Sequence, residues 1–197
     1  MMCFGGRWGA RLVLVGAMTV ASGCKDDPGE LDPDVVHDIA RTPGDAVGLD
    51  LTGDYDAEVT PITCDCPFIG PLAGLSLCQG SSPGSTAPRE TTFFALTVLQ
   101  TDGLIVLRYE DLTLTGGLNA DGSFSAGGII DISTLLTSGD IITRIDGEFD
   151  DTAGIDQFEA SIAHRLRGDV LALPDIDNET SSFDCVETFT LQATRRL

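Results

Sequence analysis

From residue 47 onward, apolar and polar side chains alternate again and again with a period of two, between short links rich in Asp, Gly and Asn. That period belongs to an extended chain with one face buried, and no strong 3.6-residue helical period intervenes. The clearest example places Val47, Leu49, Leu51, Gly53, Tyr55, Ala57 and Val59 on one face, with Asp50, Thr52, Asp54, Asp56, Glu58 and Thr60 on the other. Two further strands, Thr92 to Gln100 and Leu104 to Glu110, meet at Thr101-Asp102-Gly103, a hairpin signal. Leu112, Leu114, Gly116 and Leu118 come next, and Asn119-Ala120-Asp121-Gly122 turns the chain into Phe124, Ala126, Gly128, Ile130 and Ile132. Ser138-Gly139-Asp140 reads as the next turn, before Ile141, Thr143, Ile145, Gly147 and Phe149. The last two apolar faces are Phe158, Ala160, Ile162, His164, Leu166 and then Phe183, Cys185, Glu187, Phe189, Leu191, Ala193.

Eight strands with mostly short links predict an all-β fold. The arrangement is an antiparallel meander, closed into an eight-stranded barrel or split into a β-sandwich. Small residues at the inward positions Gly53, Gly116, Gly128 and Gly147 ease the curvature a small barrel needs. The long connection is residues 61–89, with Pro67, Pro71, Pro83 and Pro88, four glycines and three cysteines. A segment of that length within one domain is stapled or functional.

Cys64, Cys66, Cys78 and Cys185 make an even set, which in an exported chain reads as two disulfides. One intervening residue makes a Cys64–Cys66 bridge strained, so each of the two is expected to pair with one of Cys78 and Cys185. One bridge then closes a local loop and the other ties that loop to the C-terminal strand. Cys-Asp-Cys lacks the two-residue spacer of a zinc knuckle, so no metal is expected there.

Charge narrows the partners. Residues 1–23 hold two of the 11 basic side chains and no acid, so residues 24–197 set nine basic side chains against all 31 acidic ones. Nucleic acid and anionic lipid surfaces both demand a basic patch, and none is visible. Trp8 lies in the N-terminal segment and Tyr55 and Tyr109 are the two tyrosines, which leaves few aromatic platforms for sugars or bases.

The N-terminus supplies an address. Arg7 and Arg11 precede the apolar run Leu12 to Val20, too short to span a bilayer, and Ala21-Ser22-Gly23 are the small residues a signal peptidase accepts. With Cys24 next, the segment resembles the lipobox of bacterial lipoprotein precursors. The resemblance implies cleavage after residue 23, acylation of Cys24 and a membrane anchor, and Lys25 in the next position implies the outer membrane. Residues 24–46, with Asp26, Asp27, Glu30, Asp32, Asp34, Asp38 and Asp45 among Pro28, Pro33 and Pro43, are expected to form a solvated, disordered tether. Residues 47–197 are expected to form a single domain on the periplasmic or surface side of that membrane.

Gly53-Asp54-Tyr55 on the first strand, the long loop after it and the basic Arg195 and Arg196 on the last strand give the domain a resemblance to lipocalins. Tyr55 stands where that family carries Trp. The resemblance implies a barrel covered at one end by the long loop, a small apolar ligand inside, and Arg195 or Arg196 packed over Tyr55. A membrane-spanning barrel also has eight alternating strands, but aromatic girdles are missing and the chain ends in Arg195-Arg196-Leu197.

Candidate chemistry is sparse. His164 and Glu187 interrupt apolar faces, which makes them, with Tyr55, the candidate polar groups of a pocket. Asp175, Asp177, Asn178 and Glu179 crowd oxygen ligands into one loop, a weak calcium candidate without an EF-hand's glycine and distal glutamate. No Gly-x-Ser-x-Gly or His-Glu-x-x-His arrangement occurs, so no catalytic residue and no cofactor is expected. The sequence favours a non-catalytic envelope lipoprotein whose barrel binds a small apolar ligand. The alternative is a structural or protein-interaction lipoprotein with a filled barrel.

Overall fold

A computed structural model describes residues 29–70, 72–73, 76–78, 90–134, 137–150, 157–171 and 180–196. The strands are β1 (Gly53–Asp65), β2 (Thr92–Thr101), β3 (Leu104–Tyr109), β4 (Leu112–Leu118), β5 (Ser123–Ser133), β6 (Thr137–Phe149), β7 (Gln157–Leu171) and β8 (Thr180–Arg195). Each pairs antiparallel with the next, and β8 returns to β1, so the meander closes as a barrel and the sandwich is set aside. The short links take the backbone geometry their residues permit, with positive φ at Asp102, Glu110 and Gly122.

Alternation sorts the side chains as period two requires. On β8, Phe183, Cys185, Glu187, Phe189, Leu191 and Ala193 are all buried, while Asp184, Val186, Thr190 and Gln192 face out. The outer faces carry Asp54, Asp56, Glu58, Asp146, Arg165 and Asp184, the reverse of the apolar-outside arrangement of a membrane-spanning barrel. Among the described residues no helix is long and apolar enough to cross a membrane.

Two stretches differ from expectation. Ser138-Gly139-Asp140 does not turn: these residues lie within β6, opposite Ser133, Ile132 and Asp131 of β5, and Thr134 N–H donates to the Thr137 carbonyl at the actual reversal. Gly139 serves a close approach of strands rather than a turn, since a Cβ there would run into the Arg167 carbonyl. In the first strand, backbone pairing starts at Gly53, and Val47 is 82% exposed, although Leu51 keeps its apolar side in the core. Strand β1 also runs on to Asp65, so residues 61–65 belong to the sheet and not to the long connection expected over 61–89; Pro61, without an amide hydrogen, falls where the β1–β8 register shifts.

The larger correction concerns the tether. Within residues 24–46, Pro33–Arg41 form helix α1. Asp32 caps it by accepting from the Asp34 amide at 2.9 Å, Pro33 occupies the first turn and Arg41 the last. An acidic, proline-punctuated segment cannot build a core of its own, but it needs little apolar surface when the barrel provides the rest. Val36 and Leu31 bury themselves against Ile142, Ile129 and Ala163 on the outside of the barrel. Gly127 makes room, because a Cβ there would sit 2.7 Å from a Val36 methyl carbon. Beyond the helix, Gly44 N–H donates to Gly103 O (2.8 Å) and Ala46 N–H to Leu118 O (3.0 Å), so the chain is tied to the β2–β3 and β4–β5 hairpins before β1 begins.

Candidate functional site

The barrel interior is filled at one end and hollow at the other. At the end held by residues 42–52, Tyr55, Phe124, Phe149 and Phe158 form a cluster of edge and tilted ring contacts with centroids 4.7–6.4 Å apart. Leu51, Val98, Ile105 and Leu118 complete the cluster. Tyr55 O–H donates to the Leu51 carbonyl at 2.9 Å. Arg195, opposite Tyr55 in the β1–β8 register, lies over Gly53 and donates to the carbonyls of Thr52 (2.6 Å) and Asp50 (3.3 Å). Arg196 turns outward and pairs with Asp56. The sequence placed Tyr55 among pocket residues, and this is corrected: its ring and hydroxyl are consumed in closing the filled end.

Toward the other end the interior opens into a cavity of about 180 Å³. Its wall is Val59, Phe94, Leu96, Leu107, Leu112, Leu114, Ile145, Ile162, Phe189 and Leu191, joined by Tyr109 and His164, the two lining residues with polar side-chain atoms. The rings of Phe94 and Tyr109 stack with centroids 4.1 Å apart. Desolvation, aided by the neighbouring Glu110 carboxylate, pushes the Tyr109 phenol above its ordinary range, so it stays neutral. His164 leans on Phe189 with ring centroids 5.2 Å apart.

Strand register sets three further residues in a row with His164, which itself lines the cavity. Thr143 of β6 stands opposite His164 of β7, His164 opposite Glu187 of β8, and Glu187 opposite Cys64 of β1. All lie on inward positions. Glu187 is only 1% exposed, and one of its carboxylate oxygens is 3.1 Å from Cys64 Sγ. His164 and Glu187 are thus neighbours on adjacent strands. Thr143 is equally buried, and its hydroxyl finds no hydrogen-bond partner among the described residues.

Beyond this row sits the staple. Cys64 bonds Cys78, with Cα atoms 5.6 Å apart, and Cys66 bonds Cys185, 5.0 Å apart, which selects one of the two pairings the sequence left open. Cys64, Cys78 and Glu187 gather two sulfurs and a carboxylate oxygen within 4.8 Å, but the sulfurs are bonded to each other, so the group is a disulfide beside an acid. Ile69 and Ser182 exchange backbone hydrogen bonds at 2.8 and 2.9 Å, and Phe68 packs edge-on against Phe183 at 5.9 Å. Cys66, Phe68, Leu77 and Cys78 thus pack against the inward side chains Leu166, Val170, Phe183 and Cys185 of β7 and β8. Cys24 and the calcium candidates Asp175, Asp177, Asn178 and Glu179 lie outside the described residues.

His164 was legible in sequence as a break in an apolar face. Thr143 was legible only as an inward position, and its significance depends on what stands beside it. The hollow itself had no sequence signal, since it reflects how side chains of eight strands meet.

No protein-family model matches the chain, and no curated protein matches it. Among solved structures it is similar to an auxiliary nutrient binding protein from Bacteroides thetaiotaomicron, at 14% identity and a TM-score of 0.23. The match covers 75% of this chain and 47% of that one, so the chain spans about half the length of that protein.

Proposed function

We propose that the chain is an exported lipoprotein, anchored through Cys24 in the outer membrane of the cell envelope, whose barrel is a non-catalytic binding module for a small apolar ligand. The observation that carries the ligand reading is the cavity of about 180 Å³, walled almost wholly by aliphatic and aromatic side chains under a disulfide-stapled cover. An apolar cavity of about 150 Å³ is enough to bind benzene, so one ring or a short chain is the matching size. Dry apolar walls reward such a ligand through its lost contact with water, at about 25 cal/mol per Å² buried. His164 and Glu187 mark the end of the pocket where a ligand's polar atom would lie.

Titrating the purified domain with toluene, followed by NMR shifts of the Leu107, Ile145 and Leu191 methyl groups, tests this reading. Saturable shifts at those methyls are expected; absence of any shift favours the filled, structural barrel, for which the packed aromatic end speaks. The anchor is tested separately. Cys24→Ser should move the protein from the membrane to the soluble fraction and abolish a lipid mass increment, because several acyl chains at ~0.8 kcal/mol per buried CH₂ hold where one chain would not. Unchanged partitioning refutes the anchor.

A further inference from the structure

Helix α1 changes how far the barrel can stand from Cys24. As a free coil, residues 24–46 would let it drift roughly 25 Å away. With α1 docked, the chain is held from its first turn, and it is held on the side wall of the barrel. The Glu30 carboxylate lies 4.0 Å from Arg144 of β6, Leu31 is buried in the cluster with Val36 and Ile142, and Asp32 is close enough to Arg165 of β7 to stabilise its charge. Gly29, just before them, is exposed. From Cys24 to Gly29 the chain takes five steps, which in any conformation span no more than about 18 Å.

We infer that the outer wall of β6 and β7 is the face this protein lays against the lipid headgroups, with the barrel axis along the membrane rather than upright on it. This rests on the acylation of Cys24 and adds an orientation to it. Arg144, beside the point where the chain leaves the wall, sits near the middle of β6 (Thr137–Phe149). Half of such a strand, about six residues tilted by about 40°, spans about 15 Å along the barrel axis, so standing the barrel on either end would draw the short leash out nearly straight. Eight strands about 4.8 Å apart at that tilt close into a cylinder roughly 16 Å across at the backbone, which keeps the opposite β2–β3 wall that much further from the lipid. The β6–β7 wall tolerates the contact. Arg144, Arg165 and Arg167 project from it, and each hydrogen-bonds an acid of the same outer surface, Asp146, Asp184 and Asp140, at 2.7, 2.8 and 3.0 Å. A headgroup phosphate therefore meets guanidinium groups as well as carboxylates. Charge in balanced pairs does not draw the wall to lipid by itself; the leash does.

The test uses the acylated protein, purified from its membrane and placed in vesicles of phosphatidylethanolamine and phosphatidylglycerol whose headgroups carry a nitroxide quencher. A fluorescent label is attached at Ser161→Cys, exposed on β7, or at Arg108→Cys, exposed on β3 across the barrel. Cys64, Cys66, Cys78 and Cys185 are paired and Cys24 is acylated, so the introduced thiol alone takes the label. Quenching should be several-fold stronger at Ser161 than at Arg108. Inserting about 20 Gly and Ser residues between residues 28 and 29 adds roughly 25 Å of reach without touching the docked helix, and should bring the two sites to equal quenching. Equal quenching without the insertion overturns the orientation while the anchor stands. A contrast that survives the insertion means that the wall binds lipid through its own affinity, and overturns the leash as the cause. Protein that leaves the vesicles and carries no lipid mass overturns the anchor itself.

Discussion

The two ends of the barrel are built from the same eight strands and the same alternation, yet they are held by different physics. The end at residues 42–52 is a packed core: four aromatic rings interlock, the chain before β1 closes over them, and Arg195 ties two carbonyls across the opening. The other end keeps a hollow and compensates with covalent bonds, one of them spanning 119 residues. Close packing and an open interior exclude one another, because a cavity wall lacks contacts on one side. A small barrel can therefore keep a cavity where something other than packing fixes its mouth, and here two disulfides do.

The largest effect should come from cutting the longer staple. In the chain-entropy view, a bridge stabilises by restricting the unfolded chain, more so for a longer loop. Replacing Cys66 and Cys185 together by Ser should cost about 5 kcal/mol, and the Cys64, Cys78 pair about 3, for sequence separations of 119 and 14. Denaturant unfolding of both double variants measures the gap. Equal losses would mean that local packing around Phe183 and Phe68, rather than the length of loop closed, decides how this end is held.

Next in size is a matched truncation at each end. Phe158→Ala removes a ring surrounded by three others and should cost about 3–5 kcal/mol. Phe189→Ala removes a ring that already faces the hollow, so fewer contacts vanish and the loss should be smaller by about 1 kcal/mol or more. Urea midpoints at unchanged slope report the two values. A Phe189→Ala loss as large as that of Phe158→Ala would mean the hollow end is packed as tightly as the other, and the contrast between them would collapse.

Strand faces are legible in the sequence because burial depends on a residue's own phase: Phe183 to Ala193 alternate along the chain as they do in the barrel. Helix α1 is not, because its few apolar residues stand in an acidic, proline-punctuated stretch and the partners of Val36, Ile142 and Ile129, are more than 90 residues away. A hint exists in Ile142, an isoleucine on the polar face of β6. The cavity is equally hidden, since whether inward positions fill the space depends on the size and register of side chains from different strands. Tyr55 shows the limit from the other side: its inward phase is correct, but phase does not tell which end of a barrel a residue closes.

The smallest effect concerns the outer surface, where the two ends should behave alike. At the disulfide end Arg165 donates two hydrogen bonds of 2.8 Å to Asp184, and at the packed end Arg196 pairs with Asp56. In each case the hydrogen-bonded guanidinium holds the acid below its ordinary value of 3.8. A carboxylate whose folded value lies below its unfolded one contributes stability above the unfolded value and loses it as pH falls through the folded one. The Asp184 side chain is about half exposed, so solvent screens the pair and Asp184→Asn should cost only about 0.5 kcal/mol at neutral pH. Asp56→Asn, at a fully exposed acid, should leave stability unchanged. As pH drops below 3.8, the Asp184→Asn and wild-type stabilities should converge, since both then lack the charged partner. A gap that persists in acid would show that Asp184 acts through packing against the stapled end, and the surface would then share in the asymmetry that the interior displays.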